Sequence, residues 1–223
     1  MADEQPAVPQ AFQVKDCTII RRMGGVDPAV TLRELRERVK LCPIDCLYYH
    51  FCETLITPTF DDPEFRNDFA IWAANSLRDY VLAERLAIIN PYAFTDFEQL
   101  RARLVEIFDE RLSEMSYIPS VGMDEAFMFQ QAATVVFETG IELHEPADLA
   151  RRLPEMSSSS IYYHFLEARR RTPDRVDDFT FWLQFCESCN RTLIDALAAI
   201  DFYFLSLPEL KTALTETLAG IGQ

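Results

Sequence analysis

Apolar residues recur at helical spacing after a sequence that is typical of a helix start. Thr31 and Glu34 have the residue types and spacing of a capping box, in which each side chain accepts a hydrogen bond from a backbone amide of the first turn. From Leu32 to Val39, apolar residues then fall on one helical face. The pattern predicts a helix from Thr31 to about Leu41.

Three further helix starts are indicated in the same way. Asp96 with Gln99 and Ser206 with Glu209 form two more capping boxes, and each precedes a stripe of large apolar residues. Pro146 stands where the first residue of a helix favours proline.

The chain contains an internal duplication. Residues 47–51, Leu-Tyr-Tyr-His-Phe, reappear at 161–165 as Ile-Tyr-Tyr-His-Phe, and residues 67–72, Asn-Asp-Phe-Ala-Ile-Trp, reappear at 177–182 as Asp-Asp-Phe-Thr-Phe-Trp. Residues that both copies share indicate what the repeating unit needs. A residue that occurs in one copy only is a candidate for a feature specific to that half.

The duplication divides the chain into two repeats. We predict a disordered N-terminus at 1–10, a first repeat at 11–116, a linker with proline and glycine at 117–124 and a second repeat at 125–223. Two related units in one chain tend to pack about a pseudo-twofold axis, and we expect that arrangement here.

The opening segment of each repeat, 11–23 or 126–139, is ambiguous between helix and strand. The second contains many β-branched and aromatic residues, which favours a strand, but Gly140 follows it as a glycine follows a helix end. Helix is the preferred interpretation. The expected fold is therefore all-α, a helical bundle with about six helices in each repeat.

Composition indicates a soluble globular protein, with 49% hydrophobic and 26% charged residues. The net charge of −15 argues against nucleic acid and anionic membranes as partners. The sequence has no apolar stretch of the length that a membrane span or a signal peptide needs, so we expect a cytoplasmic protein.

The matched histidines and aspartates are the main candidates for a site. His50 and His164 occupy equivalent positions, and Asp68 and Asp178 are their expected partners. The pairs suit a structural role, in which a buried imidazole bonds to a carboxylate and fixes how helices cross. They also suit a general base with its orienting carboxylate, or part of a metal site. Asp45 and Ser159 precede the histidine segments as possible N-caps.

Paired aromatic residues accompany these histidines. They would line a ligand pocket or, as is more common, belong to the core and to interfaces. They are Tyr48, Tyr49, Trp72, Tyr162, Tyr163 and Trp182.

The cysteines do not support a metal site. Cys42, Cys46 and Cys52 cluster in the first repeat, and Cys186 and Cys189 have zinc-ligand spacing in the second. The matched positions of the other repeat hold different residue types in each case. We therefore expect reduced thiols, and no metal or cofactor.

The motifs resemble those of an uncharacterised prokaryotic family, a domain of unknown function with Ser-Ser-Ile-Tyr-Tyr-His and Asn-Asp-Phe-Ala-x-Trp signatures. Residues 159–164, 67–72 and 82–86 carry the resemblance, and the chain departs from it at Asp177 and Thr180 and at Cys46, where serine is expected. The resemblance implies no activity, cofactor or catalytic residue.

Two functions follow from these observations as hypotheses. The first is a non-catalytic acidic scaffold or interaction module that binds a protein partner or itself, since no catalytic or phosphate-binding motif is present. The alternative is a small-molecule or metal-binding protein, or an enzyme, that uses the paired histidine, aspartate and tyrosine residues.

Overall fold

The computed structural model describes residues 11–56, 65–186 and 191–221, and it contains both strands and helices. Two long strands, β1 (Phe12–Met23) and β2 (Gln130–Leu143), pair in a two-stranded antiparallel sheet. The prediction of an all-α fold, a helical bundle, is therefore wrong. The predicted disorder of the first ten residues concerns a segment outside the described residues.

The strands form where β-branched and aromatic residues run together. Residues 18–20 are Thr-Ile-Ile in β1 and residues 135–137 are Val-Val-Phe in β2. Such side chains lose rotamer freedom in a helix and suit an extended strand. Gly140 does not end a helix; it takes a φ of 76° inside β2. The composition of these segments was a better guide than the position of the glycine.

The helices follow the strands in each half. After β1 come α1 (Leu32–Leu41), α2 (Ile44–Cys52), a 3₁₀ turn (Glu53–Leu55), α3 (Asp68–Asn75), α4 (Tyr80–Ala87), a 3₁₀ turn (Pro91–Ala93), α5 (Phe97–Glu114) and a 3₁₀ turn (Met123–Glu125). After β2 come α6 (Pro146–Arg152), a 3₁₀ turn (Leu153–Glu155), α7 (Ser158–Ile161), a π-helix (Tyr162–Glu167), α8 (Ala168–Arg171), α9 (Asp178–Leu183), α10 (Arg191–Ala198) and α11 (Leu207–Ile221). Within the described segments, none of the helices has the length and apolar character needed to cross a membrane.

The helix starts inferred from capping boxes are confirmed. The cap oxygens accept from the N3 amides in three places: Thr31 from Glu34 at 3.2 Å, Asp96 from Gln99 at 2.8 Å, and Ser206 from Glu209 at 3.4 Å. Pro146 is the first residue of α6, as predicted.

The chain forms two compact units, which we name after their histidines. The His50 unit is Ile19–Ala133, and the His164 unit combines Met1–Thr18 with Thr134–Gln223. Each strand therefore contributes residues to both units. These units are defined by spatial contacts, whereas the repeats are defined by sequence similarity.

The core of the His50 unit includes the opening segment of the second repeat. Helix α5 packs against α1, α2 and α4, and α3 packs against α4. Phe127 stacks on Phe69 of α3 with ring centroids 4.8 Å apart, and Phe129 is fully buried in the same cluster. The amide of Ala29 donates to the carbonyl of Phe127 at 3.0 Å, which fixes this segment along the unit.

The His164 unit shows the matched arrangement. Phe12, from the opening segment of the first repeat, packs against Phe179 and Trp182 with ring centroids 5.5 Å away in each case. The opening segments are therefore exchanged, since each completes the core around the helices of the other repeat.

Gly24 is required by a close approach in the His50 unit. Its amide donates to the carbonyl of Phe129 at 2.8 Å, and an added Cβ would lie 2.5 Å from the sulfur of Cys46 and 3.0 Å from that carbonyl. We predict that Gly24→Ala lowers the free energy of unfolding by about 1–3 kcal/mol, the usual cost of overpacking a core. Urea-induced unfolding followed by circular dichroism measures the change.

Gly220 in α11 provides the control. An added Cβ there meets nothing within 4 Å, and alanine favours a helix by up to about 1 kcal/mol over glycine. Gly220→Ala should therefore leave stability unchanged or slightly raised. Equal unfolding midpoints for the two variants would contradict the close packing at Gly24.

Candidate functional site

His50 connects a helix, a carboxylate and a strand. Its Nδ1 lies 2.7 Å from Oδ2 of Asp68, the first residue of α3, and its Nε2 accepts from the backbone amide of Gln130 at 3.0 Å. His50 and Asp68 are both buried. The partner is the aspartate that the sequence indicated, whereas the bond to Gln130 was not foreseen.

His164 makes the same set of bonds in the other unit. Its Nδ1 lies 2.8 Å from Oδ2 of Asp178, and its Nε2 accepts from the backbone amide of Lys15 at 2.8 Å. Lys15 belongs to β1, just as Gln130 belongs to β2. The exchanged strand is thus held by a histidine of the opposite repeat in both units.

The residue before each site aspartate caps a helix and so places the aspartate at the helix start. In the His50 unit, Asn67 caps α3 by accepting from the amide of Ala70 at 2.9 Å, and it donates to the carbonyl of Leu86 at 3.0 Å. Asp177 caps α9 at the matched position. Each site aspartate therefore begins its helix, where the helix dipole favours a negative charge.

The predicted caps of the histidine helices are wrong. Pro43 precedes α2 and Asp45 lies in its first turn, whereas Ser157 rather than Ser159 caps α7. The prediction took the polar residue nearest the motif, but each helix begins one or two residues earlier.

These bonds determine the protonation state of the imidazole. A backbone amide can only donate, so Nε2 must be the unprotonated acceptor and Nδ1 must carry the proton that it donates to the aspartate. The ring is neutral, and the lone pair of Nε2 is already used to accept the hydrogen bond from the backbone amide. In this arrangement neither histidine can accept a proton from a substrate or bind a metal ion through Nε2.

The predicted aromatic residues lie around these pairs. Tyr48, Tyr49, Tyr162 and Tyr163 are all buried. The rings of Tyr49 and Tyr163 each meet the adjacent histidine edge-on with centroids 5.1 Å apart. These contacts fix the orientation of the imidazoles.

Trp72 and Trp182 flank the exchanged phenylalanines. Trp72 donates its indole N–H to the carbonyl of Glu125 at 2.7 Å and lies 5.9 Å from the ring of Phe127. Trp182 lies 5.5 Å from the ring of Phe12. Both tryptophans therefore contact the exchanged segments.

Arg171 is a site residue of the His164 unit that the sequence did not identify. Its Nη2 lies 2.9 Å from Oδ2 of Asp178 and donates to the carbonyl of Tyr163 at 3.0 Å, and the guanidinium lies 4.2 Å from the centre of the Tyr163 ring. Burial lowers the pKa of Arg171, but hydrogen bonds to Asp178 and Glu167 outweigh this effect and raise the pKa above its ordinary value.

The His50 unit has no arginine at the matched position, which is Thr57, a residue outside the described segments. Residues 57–64 as a whole contain neither arginine nor lysine. In the described part of the chain, Asp68 bonds to the neutral ring of His50 and forms no ion pair with an arginine or lysine. Asp178 is thus neutralised by an arginine of the chain, whereas Asp68 has no such partner among the described residues.

A pocket opens beside Asp68 in the His50 unit. Its volume is about 230 Å³. It is lined by His50, Asp68, Trp72, Asn75, Ser76, Ala126, Phe127, Met128 and Gln130. The pocket therefore combines one carboxylate with aromatic surface and neutral polar groups.

The described cysteines belong to no cluster of metal-binding side chains. Among the described residues, no group of three or more histidine, cysteine, aspartate or glutamate side chains is arranged to hold a metal ion. Cys42, Cys46 and Cys52 are buried thiols that form no disulfide, and a hydrogen bond from Cys46 lowers the pKa of the Cys42 thiol. Cys189 lies outside the described residues.

The fold and site define a duplicated α/β protein in which histidines hold exchanged strands. The chain belongs to DUF5752, a family of unknown function, whose model matches residues 9–219. It is similar in structure to OrfY from Thermoproteus tenax, with a TM-score of 0.79, 23% sequence identity and coverage of 96% of both chains. At this identity the likeness concerns the fold alone. No curated protein matches the sequence.

The histidine bonds make a stability prediction. His50→Ala leaves the buried carboxylate of Asp68 and the amide of Gln130 without their partner, and His164→Ala leaves the amide of Lys15 without its partner while Asp178 keeps Arg171. We expect each variant to lower the free energy of unfolding by about 1–3 kcal/mol, the usual cost of an unsatisfied buried polar group. Urea-induced unfolding measures the change.

His144 is the matched control, because its side chain is 71% exposed. His144→Ala should change the free energy of unfolding by less than about 0.5 kcal/mol. If the two buried histidines could be replaced at equally small cost, they would not be holding the strands.

Proposed function

We propose that this protein is a non-catalytic interaction module that binds a protein partner through β2. The observation that carries the proposal is the exposure of three consecutive apolar residues, Val135, Val136 and Phe137, at 43%, 38% and 49%. Large apolar side chains that stand together on a surface are typical of interaction sites.

The backbone of β2 supports the same proposal. β1 pairs with one edge of β2, and no third strand pairs with the other edge within the described residues. An open strand edge with exposed apolar side chains suits the addition of a partner strand, which gains affinity from main-chain hydrogen bonds and specificity from side-chain contacts.

Charge indicates what kind of partner fits. The net charge of −15 makes two copies repel each other, whereas a partner with a basic surface is attracted. A different, basic protein is therefore favoured over self-association.

In both histidine–aspartate pairs the two ring nitrogens are already hydrogen-bonded, which argues against catalysis by these residues. Both Nε2 atoms accept from backbone amides, so the pairs lack the free base that general base catalysis needs. The aromatic and histidine residues serve as supports for the strand surface in this proposal.

Phe137→Ser tests the surface directly. We expect in-cell cross-linking to capture a partner with the wild type and to lose it with the variant, since removing a central aromatic anchor costs about 2 kcal/mol or more of binding energy. The captured protein must then bind again as a purified protein, and sedimentation velocity measures that binding and any self-association.

Tyr117→Ser is the matched control, because Tyr117 is also an exposed aromatic residue, with 77% of its surface accessible. This variant should keep the partner. A wild-type protein that remains a monomer, with captured proteins that do not depend on Phe137, would overturn the proposal.

The pocket beside Asp68 favours small-molecule binding as a second candidate function. Pockets that place a few polar groups among aromatic side chains are typical of ligand sites, and about 230 Å³ is below the usual range for drug-sized ligands. The ligand of such a pocket would be small.

A further inference from the structure

We infer that the pocket of the His50 unit binds a small organic cation, a guanidinium, amidinium or ammonium group on an apolar body. This inference rests on the second candidate function and names the chemical class of its ligand. The argument compares the two units of the same chain.

The histidine–aspartate pair carries a net negative charge in both units. Because Nε2 accepts from a backbone amide, the imidazole is neutral, and the charge of the carboxylate stays uncompensated within the pair. A buried charge is costly unless an opposite charge accompanies it.

The His164 unit compensates this charge within the chain. The guanidinium of Arg171 bonds to Asp178 at 2.9 Å and lies over the ring of Tyr163. The unit therefore shows what kind of group the carboxylate accepts in this setting: a planar cation that donates hydrogen bonds and stacks on an aromatic ring.

The His50 unit presents the same pair with a pocket beside it. Asp68 is only 8% exposed, and in the part of the chain that the structure describes it bonds to the neutral ring of His50 and pairs with no arginine or lysine. The walls of the pocket supply Trp72 and Phe127 as aromatic surfaces. A ligand cation that enters would meet a carboxylate and aromatic rings, which here are Trp72 and Phe127, whereas Arg171 lies over Tyr163 in the other unit.

The pocket walls differ between the units in the way that this inference requires. Asn75 and Ser76 line the pocket in the His50 unit, and the matched residues of the second repeat are Phe185 and Cys186. Small polar groups at the mouth admit a hydrated cation and can donate to or accept from it. Asp68 is therefore the only charged side chain among the described residues of the lining, since the ring of His50 is neutral.

Benzamidine is the probe, with benzamide as the neutral isostere and benzoate as the anion. Binding is measured by NMR titration of the indole N–H in a Trp182→Phe background, where Trp72 is the one remaining tryptophan. We expect benzamidine to bind about tenfold or more tightly than benzamide, since one charge-assisted hydrogen bond distinguishes them. Benzoate should not bind.

Two variants locate the binding. Asp68→Asn should weaken benzamidine binding about tenfold or more while circular dichroism confirms folding. Asn75→Arg provides a second test in case Asp68→Asn does not fold. Asn75 is exposed and lies seven residues after Asp68 on one face of α3, so an arginine there supplies a cation within the chain and should abolish binding. Ala219→Arg, at an exposed position of α11, makes the same charge change and should bind as the wild type does.

The outcomes separate this inference from the function on which it rests. If benzamide or benzoate bound as tightly as benzamidine, and Asn75→Arg altered that binding, the pocket would bind small molecules but the cation class would be wrong. If none of the three probes bound at about 10 mM, both the inference and small-molecule binding would be overturned.

Discussion

The fold depends on one hydrogen bond that occurs twice, from the backbone amide of a strand to Nε2 of a buried histidine. In the His50 unit the amide is that of Gln130, and in the His164 unit it is that of Lys15. An isolated two-stranded ribbon is marginally stable in water, so these strands need support from outside the ribbon. The imidazole provides it, since its second nitrogen is tied to an aspartate at a helix start.

Exchange of the opening segments explains why this bond is needed. Phe127 and Phe129 belong to the second repeat by sequence but to the core of the His50 unit by position, and Phe12 serves the other unit in the same way. A repeat on its own would lack the aromatic residues that cover its histidine. Duplication and exchange therefore make each half incomplete without the other half of the chain, even though each unit has its own core.

The sequence predicted those features that depend on local chemistry. Capping boxes located α1, α5 and α11, and equivalent positions in two repeats identified which histidine faces which aspartate. The strands were missed because the opening segments do not alternate cleanly: in β2, residues 135–137 are apolar on both faces, as in a strand that lacks a covering layer. The partners of the two Nε2 atoms could not be predicted, because almost every residue has a backbone amide and the sequence does not show which one will donate.

The two units also show why equivalent residues need not have equivalent roles. Ser160 donates to the carbonyl of Lys15 at 2.7 Å, which adds a second bond to the strand that His164 holds. The matched residue is Cys46, whose sulfur lies 3.8 Å from the carbonyl of Gly24 instead. A thiol donates more weakly than a hydroxyl, so the strand in the His50 unit depends more on its histidine.

The charge of the site aspartate is also balanced in the His164 unit and, among the described residues, not in the His50 unit. Arg171 compensates Asp178, whereas the first repeat has Thr57 at the matched position and a pocket beside Asp68. After a duplication, one copy can keep the stabilising contacts while the other is free to lose them. The His50 unit lacks both the serine and the arginine that support the pair in the other unit, so a site that differs from the common structural plan belongs in this unit rather than in the other.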